Sequence, residues 1–412
     1  MSQAPNMHRL SIRFPSNFRA KYWGIALVTF LLITGVIGTA VRSLIPKDAN
    51  PIHIAVAAPL TGMQNTAGKE MVQSIQLYLD SVNQQGGVHG HPLKLLAFDD
   101  QGDPNTVIPL TRAVDDSPAL VVLGHLTSPI SIAAAPIYQA LQIPAVTATA
   151  SADRITQATP YSFRTVFTDS VQGSVLALYA QQALKFNTAS VIYSDDDLGQ
   201  TLNEAFETTF KRSGTLKHSW QFSSQPNSLE QSVKTIVNAL AADPNAGIVF
   251  LAMDESSAKE FIVAIRRRGL KTPLLGNQTI GRESFAKLFE QYDEEKERPG
   301  YFLDGVYAAT PLIFDSANAD VQEFVGLYQK NYGSLPTYIG AGYYDAAKVA
   351  VQAIQAAKVQ GTPASRQRDR QQVRDQLAAI NNRDVATRGL SGPIYFDELK
   401  LPPLSDTRGV QE

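Results

Sequence analysis

The segment from Val121 to Ser151, VVLGHLTSPISIAAAPIYQALQIPAVTATAS, leaves the chain few options. Val121 to Leu123 reads as a buried apolar strand, Gly124 to Ser128 as a polar loop, Pro129 to Leu141 as a helix, and Ala145 to Thr149 as a second strand ending in hydroxyls. That order makes one βαβ unit, in which the helix is the crossover that parallel strands require. Ser128 directly before Pro129 is a helix start, because serine favours the N-cap and proline suits the first helical position, where its missing N–H is not needed. Thr127, Ser128, Thr149 and Ser151 then converge at the carboxyl ends of two strands, beside a helix N-terminus. Unpaired N–H groups and the positive end of the dipole favour an anion there. The segment is therefore expected to form half of a pocket for a small carboxylate.

The same rhythm runs through most of the chain. His53 to Pro59 reads as a strand whose PLTG turn leads into a helix with Met71, Ile75, Leu79 and Val82 on one face. A strand at Leu93 to Phe98, the loop DDQGDP and a helix near Asn105 to Asp115 precede the opening unit, giving a doubly wound α/β half. The rhythm restarts near Arg164, with Ser170 as the expected cap of a helix to Leu184. Strands at Ala189 to Tyr193, Ser219 to Phe222, Gly247 to Met253 and Pro273 to Leu275 then alternate with helices. No Gly/Ser-rich linker separates the halves, so short strands that permit a hinge should join them. Strand Gly305 to Ala309 and helices at Ala319 to Tyr332 and Ala341 to Lys358 follow. In RQRDRQQVRDQLAAI, Val373, Leu377 and Ile380 share one helical face, so this run is a helix with a core stripe and a solvated charged side.

A length of 412 residues suggests two lobes, and 44% hydrophobic with 18% charged residues suits a folded chain. The formal charge of −2 is uneven: residues 1–47 hold six basic and no acidic side chains, leaving 30 basic against 38 acidic in the rest. A mildly acidic globular part argues against nucleic acid as a partner. Tyr22 to Val41 is an uncharged, mostly apolar run of twenty residues, about 30 Å long as a helix and sufficient to cross a bilayer. Preceding basic residues place the N-terminus in the cytoplasm and the remainder outside. Residues 1–21 are thus expected as a cytoplasmic basic segment, 22–41 as an uncleaved transmembrane anchor and 42–51 as a tether. A cleavable signal peptide is the competing reading, with small residues at Gly38-Thr39-Ala40.

Several motifs carry no chemistry. GMQNTAGKE, Gly62 to Glu70, departs from a phosphate-binding loop in its glycine spacing and in Glu70, which stands where a magnesium-binding hydroxyl is needed. The loop is expected instead to line a pocket with Thr61, Gln64 and Thr66. Asp99, Asp100 and Asp103 lack calcium-loop spacing, and Asp103 before Pro104 suits a helix cap. His89-Gly90-His91 reads as a surface turn and His125 as a hydrogen-bonded structural residue. With no cysteine and no nucleophile–base constellation, the sequence offers no case for an enzyme, a metal or a cofactor.

PLTG, FDDQGDPNTV, GHLTSPISIAAAPIYQALQIPAVTATAS, FRTVFTDSVQG, SDDDLGQTL, GYYDAAKVAVQAI and GLSGPIYFDE together resemble the type I periplasmic solute-binding proteins of ABC importers, in the branched-chain amino acid (Leu/Ile/Val) branch. The resemblance covers about residues 52 to 400. It implies an α/β fold of two doubly wound lobes joined by a three-strand hinge: 52–168 with 309–390 as lobe one, and 169–308 with 391–412 as lobe two. It implies that Ser128, Thr149 and Ser151, with Thr127 beside them, hold a ligand carboxylate. The rest of the pocket departs from the family: Ala67 and Leu198 replace aromatics, Gln278 replaces the ammonium-binding glutamate, and Asp254 stands where an aromatic is expected. Asp254 and Gln278 are therefore expected to hold the amino or amide end. The implied partners are a small solute and permease and ATPase subunits. The alternative is a ligand-sensing domain of a signalling assembly.

Overall fold

A computed structural model of the chain describes residues 50–396, apart from 158, 313 and 315–317. The anchor expected at 22–41 lies outside these residues, and no helix among the described residues is long and apolar enough to cross a membrane.

Lobe one opens with β1 (Ile52–Ala58), α1 (Asn65–Gln84), β2 (Leu93–Asp99), α2 (Val107–Asp116), β3 (Ala119–Gly124), α3 (Ser128–Ala140), β4 (Ala145–Thr147), the short α4 (Arg154–Gln157) and β5 (Ser162–Arg164). Its parallel sheet has the order β2-β1-β3-β4-β5. The sheet is covered on both faces, which is why its central strand β3 is apolar and buried throughout. Successive residues of β1 show the period of two: Ile54, Val56 and Ala58 enter one core cluster, Ala55 and Ala57 the other.

The chain then crosses to lobe two: α5 (Asp169–Gln182), β6 (Thr188–Ser194), α6 (Asp197–Phe210), β7 (Thr215–Phe222), α7 (Pro226–Ala242), β8 (Ile248–Ala252), α8 (Glu255–Arg267), β9 (Leu274–Gly276), α9 (Glu283–Lys287), α10 (Asp293–Glu297) and β10 (Val306–Ala308). The sheet order β10-β9-β8-β6-β7, read from β7, repeats the pattern of lobe one. In both sheets chain direction reverses between the first and third strands of the lobe, and ligands of such sheets bind outside the strand ends at that switch point.

After β10 the chain returns. Helices α11 (Ala319–Tyr332), α12 (Tyr338–Ala357) and α13 (Arg366–Ala379) pack on lobe one, with Tyr343, Ala346, Ala350 and Ile354 of α12 in its core. The expected stripe on α13 is fully inside, with Val373, Leu377 and Ile380 buried. One member of the basic run is buried as well: the Arg370 guanidinium donates to the carbonyl of Ala119 at 2.9 Å and to the Asp115 carboxylate. A hairpin of β11 (Thr387–Gly389) and β12 (Gly392–Ile394) follows.

The boundary expected at residue 391 is corrected here. Ile394 lies in lobe one's core with Phe396 packed against it, so residues 391–396 belong to lobe one, and residues 397–412 lie outside the described part. Two crossovers are described, at 165–168 and beyond 308; the third expected from the sequence would lie outside the described residues.

Helix starts also differ in detail from expectation. Helix α3 begins at Ser128 itself with Thr127 at the N-cap, and helix α5 is capped by Thr168, whose hydroxyl accepts from the Val171 N–H at 3.1 Å, not by Ser170. Asp103 caps its turn as expected, accepting from the Asn105 N–H at 2.9 Å. Glu70, at the end of the rejected phosphate loop, is buried and accepts N–H groups of Thr337 and Gly340, so it caps the start of α12. His89 and His91 sit in a turn, and each imidazole meets a backbone carbonyl at 2.8 Å.

Candidate functional site

On lobe one the site is built on the loops after β1, β3 and β4. Gly124 closes β3 with φ at +147°, and a Cβ there would lie 2.2 Å from the Ala57 carbonyl oxygen, so only glycine fits this approach of β3 to β1. The next residue, His125, is buried, with Nδ1 2.7 Å from the Asp100 carboxylate and Nε2 3.2 Å from the Tyr138 hydroxyl. Its carbonyl accepts from the hydroxyls of Thr147 and Tyr343, both at 2.9 Å. His125 is thus the hydrogen-bonded structural residue the sequence implied, and it fixes the loop that presents Thr127 and Ser128.

Following the hydroxyl protons separates three of the four expected anion ligands, Thr149, Ser151 and Ser128. Thr149 is buried and donates to the Leu126 carbonyl at 2.6 Å, so its hydroxyl retains only acceptor capacity. The Ser151 hydroxyl accepts from Gln278 Nε2 at 3.0 Å and lies beside the Asp169 carboxylate, whose charge it stabilises. The Ser128 hydroxyl accepts from the Ala152 N–H at 3.2 Å, which leaves its own proton for a ligand. Ser128 also sits in the first turn of a thirteen-residue helix, where backbone N–H groups lack intrahelical partners. Of these three hydroxyls, that of Ser128 at the helix start therefore keeps its proton, while Thr149 and Ser151 are held by other protein groups.

On lobe two, the loops after β6 and β8 turn inward on themselves. Asp196 caps α6, accepting from the Gly199 N–H at 2.9 Å, and Leu198 between them is half-buried against the lobe's own core. Asp254 caps α8. Its carboxylate accepts from the N–H groups of Ser256 and Ser257 at 2.8 and 3.1 Å and from their hydroxyls at 2.6 and 2.8 Å. Burial pushes this carboxyl up, but those four bonds outweigh it and hold it below the ordinary aspartate value. Three of these bonds fall on Oδ1 and one on Oδ2, so Asp254 is engaged first by its own helix start, while Oδ2 keeps acceptor capacity.

Gln278, after β9, is different. It is buried and crosses to lobe one through the Ser151 contact, while its backbone N–H donates to Gln172 Oε1 at 2.6 Å. Asp169 and Gln172, three residues apart on α5, share this buried spot. Burial pushes the Asp169 carboxyl up to about 6, with Asp153 and Asp196 adding to the shift and the Ser151 hydroxyl and Arg164 opposing it. Neither residue was assigned a role from sequence, although the DS-x-QG spacing that places both on one face of α5 was visible.

Around these residues the lobes meet at further points: Arg154 pairs with Asp197 at 2.5 Å, and the Arg282 guanidinium lies 5.4 Å from the centre of the Tyr338 ring. Gln64, at the start of α1, is exposed. Among the described residues no cluster of three or more His, Cys, Asp or Glu side chains suits a metal.

Two lobes of one topology, facing each other at their switch points with polar groups bridging between them, define a hinged ligand-binding protein. The chain belongs to the periplasmic binding protein family, whose model matches residues 51–400. It is similar to an amino acid binding protein of Pseudomonas aeruginosa, with 24% identity over 335 residues, 77% of this chain and 86% of the relative. Its fold is similar to that of the branched-chain amino acid transporter substrate binding protein of Streptococcus pneumoniae in complex with isoleucine. That match has a TM-score of 0.68 at 19% identity, over 84% of this chain and 92% of the other. A solute binding protein of an ABC transporter from Rhodopseudomonas palustris BisB5, in complex with 3,4-dihydroxybenzoic acid, matches with a TM-score of 0.66 at 21% identity, over 84% and 89%. These relatives are binding proteins and not enzymes, in agreement with the sequence reading.

Proposed function

We propose that the chain is an extracytoplasmic binding protein that closes on an amino acid or a related small carboxylate and delivers it to the permease and ATPase subunits of an ABC importer, with residues 22–41 as its membrane anchor. The observation that carries this reading is the free hydroxyl proton of Ser128 at the start of α3, set against Gln278, which reaches across from the other lobe. Ser128, Thr127 and the N–H groups of the first helical turn hold the carboxylate. Thr149 and Ser151 form the floor, Gln278 takes the opposite end, and Gln64 and Leu198 frame the rims of the two lobes. The ligands named for the two structural relatives, isoleucine and 3,4-dihydroxybenzoic acid, have a carboxylate in common.

Closure follows from differential contact. A ligand that meets both walls only when the lobes are together shifts the hinge equilibrium toward the closed form by its extra affinity for that form. A thermal-shift and calorimetric screen over amino acids, their amides and aromatic carboxylates tests the reading. We expect saturable binding of at least one carboxylate, and a flat response to all of them would sink it. Co-purification from membranes tests the partner: permease and ATPase subunits are expected, whereas a kinase or chemoreceptor would assign the chain to a sensory assembly.

A further inference from the structure

Both described crossovers border one small cavity. Thr165 and Val166 of the first and Pro311 and Leu312 of the second form its wall, and Tyr338, Asp345 and Ser391 close it from α12 and the β11–β12 turn. Asp345 is the acid of this lining and is only 2% exposed. Its oxygens accept from the Leu390 N–H at 2.7 Å and from the N–H and hydroxyl of Ser391 at 3.3 and 3.2 Å. None of these donors carries a charge. Burial therefore outweighs them and pushes the carboxyl up from 3.8 to about 6, with Lys348, three residues along α12, opposing the shift. The other titratable groups packed around it are accounted for. Beside it Tyr344 faces Tyr78 of α1 and Asp320 and Glu323 of α11, and Asp320 is paired with Arg388 of β11 at 2.9 Å. At the far end of the cavity Tyr338 faces Arg282 and Glu255 of lobe two and Glu70 of α1.

We propose that Asp345 makes the hinge pH-sensitive: its protonation favours the closed arrangement of the lobes and its ionisation the open one. This rests on the hinged reading above and adds the proton as a second input to closure. A rotation of the lobes is taken up at the crossovers that join them, so it displaces the wall that residues 165–166 and 311–312 give the cavity. Water then reaches a carboxyl that the closed form keeps dry, and the open form holds the proton less tightly. The form that binds protons more strongly gains as pH falls. With the closed form near 6 and the open form nearer 3.8, the preference for closure is full below about pH 4 and is lost as pH rises through about 6. Each pKa unit between the two forms changes their ratio about tenfold. Glu70 is also raised by burial, but its partners Thr337 and Gly340 lie within lobe one, so the rotation leaves them in place. Asp169, between the lobes and likewise raised to about 6, is the rival source of a pH effect.

The test uses the full-length chain without ligand. The sequence has no cysteine, so Met63→Cys on the exposed rim of lobe one and Glu204→Cys on the exposed side of α6 in lobe two carry one fluorescent label each. Single-molecule energy transfer between them reads the ratio of closed to open forms across pH. That ratio should be about threefold to tenfold higher at about pH 5 than at about pH 7.5. Asp345→Asn, neutral at every pH, should hold the acid ratio throughout. A ratio that does not change with pH, that falls in acid, or that keeps its pH dependence in Asp345→Asn overturns the proposal. Asp169→Asn should retain the dependence, and its loss in that variant moves the switch to Asp169 and also overturns the proposal. If Asp345→Asn does not fold, the Asp169→Asn result decides. Because no ligand enters the measurement, a failure here leaves the carboxylate reading standing, and a flat ligand screen leaves the hinge result standing.

Discussion

The two lobes share a strand order but divide labour differently at their switch points. In lobe one the loops after β1 and β3 are held from below. Asp99 accepts from the Leu60 N–H at 2.8 Å and the Thr61 hydroxyl at 2.6 Å, and Asp100 holds His125, so Ser128 at the surface of this scaffold retains a proton. In lobe two the loops after β6 and β8 use their carboxylates, Asp196 and Asp254, to cap their own helices. The polar contact from lobe two to lobe one comes instead from the neighbouring strand end, at Gln278, which also meets Gln172 of α5. One topology can thus separate scaffold from ligand group by depth in one copy and by strand in the other.

The largest expected effect breaks the scaffold of lobe one. Asp100 and His125 are both fully buried and joined at 2.7 Å, and Asp100 also accepts from the Gly102 N–H at 3.0 Å. Removing the carboxylate leaves His125 Nδ1 and the Gly102 N–H without this partner, so Asp100→Ala should destabilise the protein by about 1 to 3 kcal/mol for each group left unpaired, in denaturant unfolding. A loss below about 1 kcal/mol would mean that the loop does not depend on this support.

Next comes a pH effect, also in lobe one. Asp345 is buried on α12 and accepts from the N–H groups of Leu390 and Ser391, tying down the β11–β12 hairpin. Burial outweighs those bonds and pushes its carboxyl up from 3.8 to about 6. A folded pKa above the unfolded one means that the folded state binds more protons in that range. This contribution is therefore fully present below about pH 4 and is lost as pH rises toward 6, about 3 kcal/mol for a shift of this size. Asp345→Asn should flatten that part of the stability profile, and a slope identical to wild type would refute the assignment.

Ser128→Ala removes the hydroxyl proton on which the lobe-one wall depends. A hydrogen bond to a charged group contributes about 1.5 to 3 kcal/mol, so carboxylate affinity should fall tenfold to a hundredfold in calorimetry, with the melting temperature of the free protein little changed. Wild-type affinity in this variant would shift the carboxylate to another part of the cleft.

These expectations differ in how far the sequence reveals them. The alternation of elements was readable because the central strands β3 and β8 are apolar on both faces, and the helix of Val373, Leu377 and Ile380 because its stripe is periodic. Burial of Arg370 was not readable, since its partners Ala119 and Asp115 lie about 250 residues away in the chain. The cap of α5 was displaced by two residues because Thr168, Asp169 and Ser170 all suit a helix start and only the direction of chain entry chooses among them. The Ser128 wall was visible as a local motif of serine, proline and helix. The facing wall depends on Gln278 meeting Ser151, 127 residues apart, and Gln172, 106 residues away, and no local pattern reports such a meeting. Asp254 illustrates the reverse: an acidic residue before Glu-Ser-Ser is a helix cap by local rules, and its alignment with a pocket position obscured that.

The smallest effect is the most discriminating for the comparison between lobes. If Asp254 belongs to the fold and not to the ligand, Asp254→Ala should cost about 1 kcal/mol of stability, the usual penalty for losing an N-cap, while amino acid affinity stays within twofold of wild type. Asp254→Asn, which retains capping ability, should be close to neutral in both measurements. The two lobes then differ as described, with the lobe-two switch-point carboxylates structural. A tenfold loss of amino acid affinity in Asp254→Asn at unchanged stability would reverse this, because only a ligand cation distinguishes a carboxylate from an amide that caps equally well.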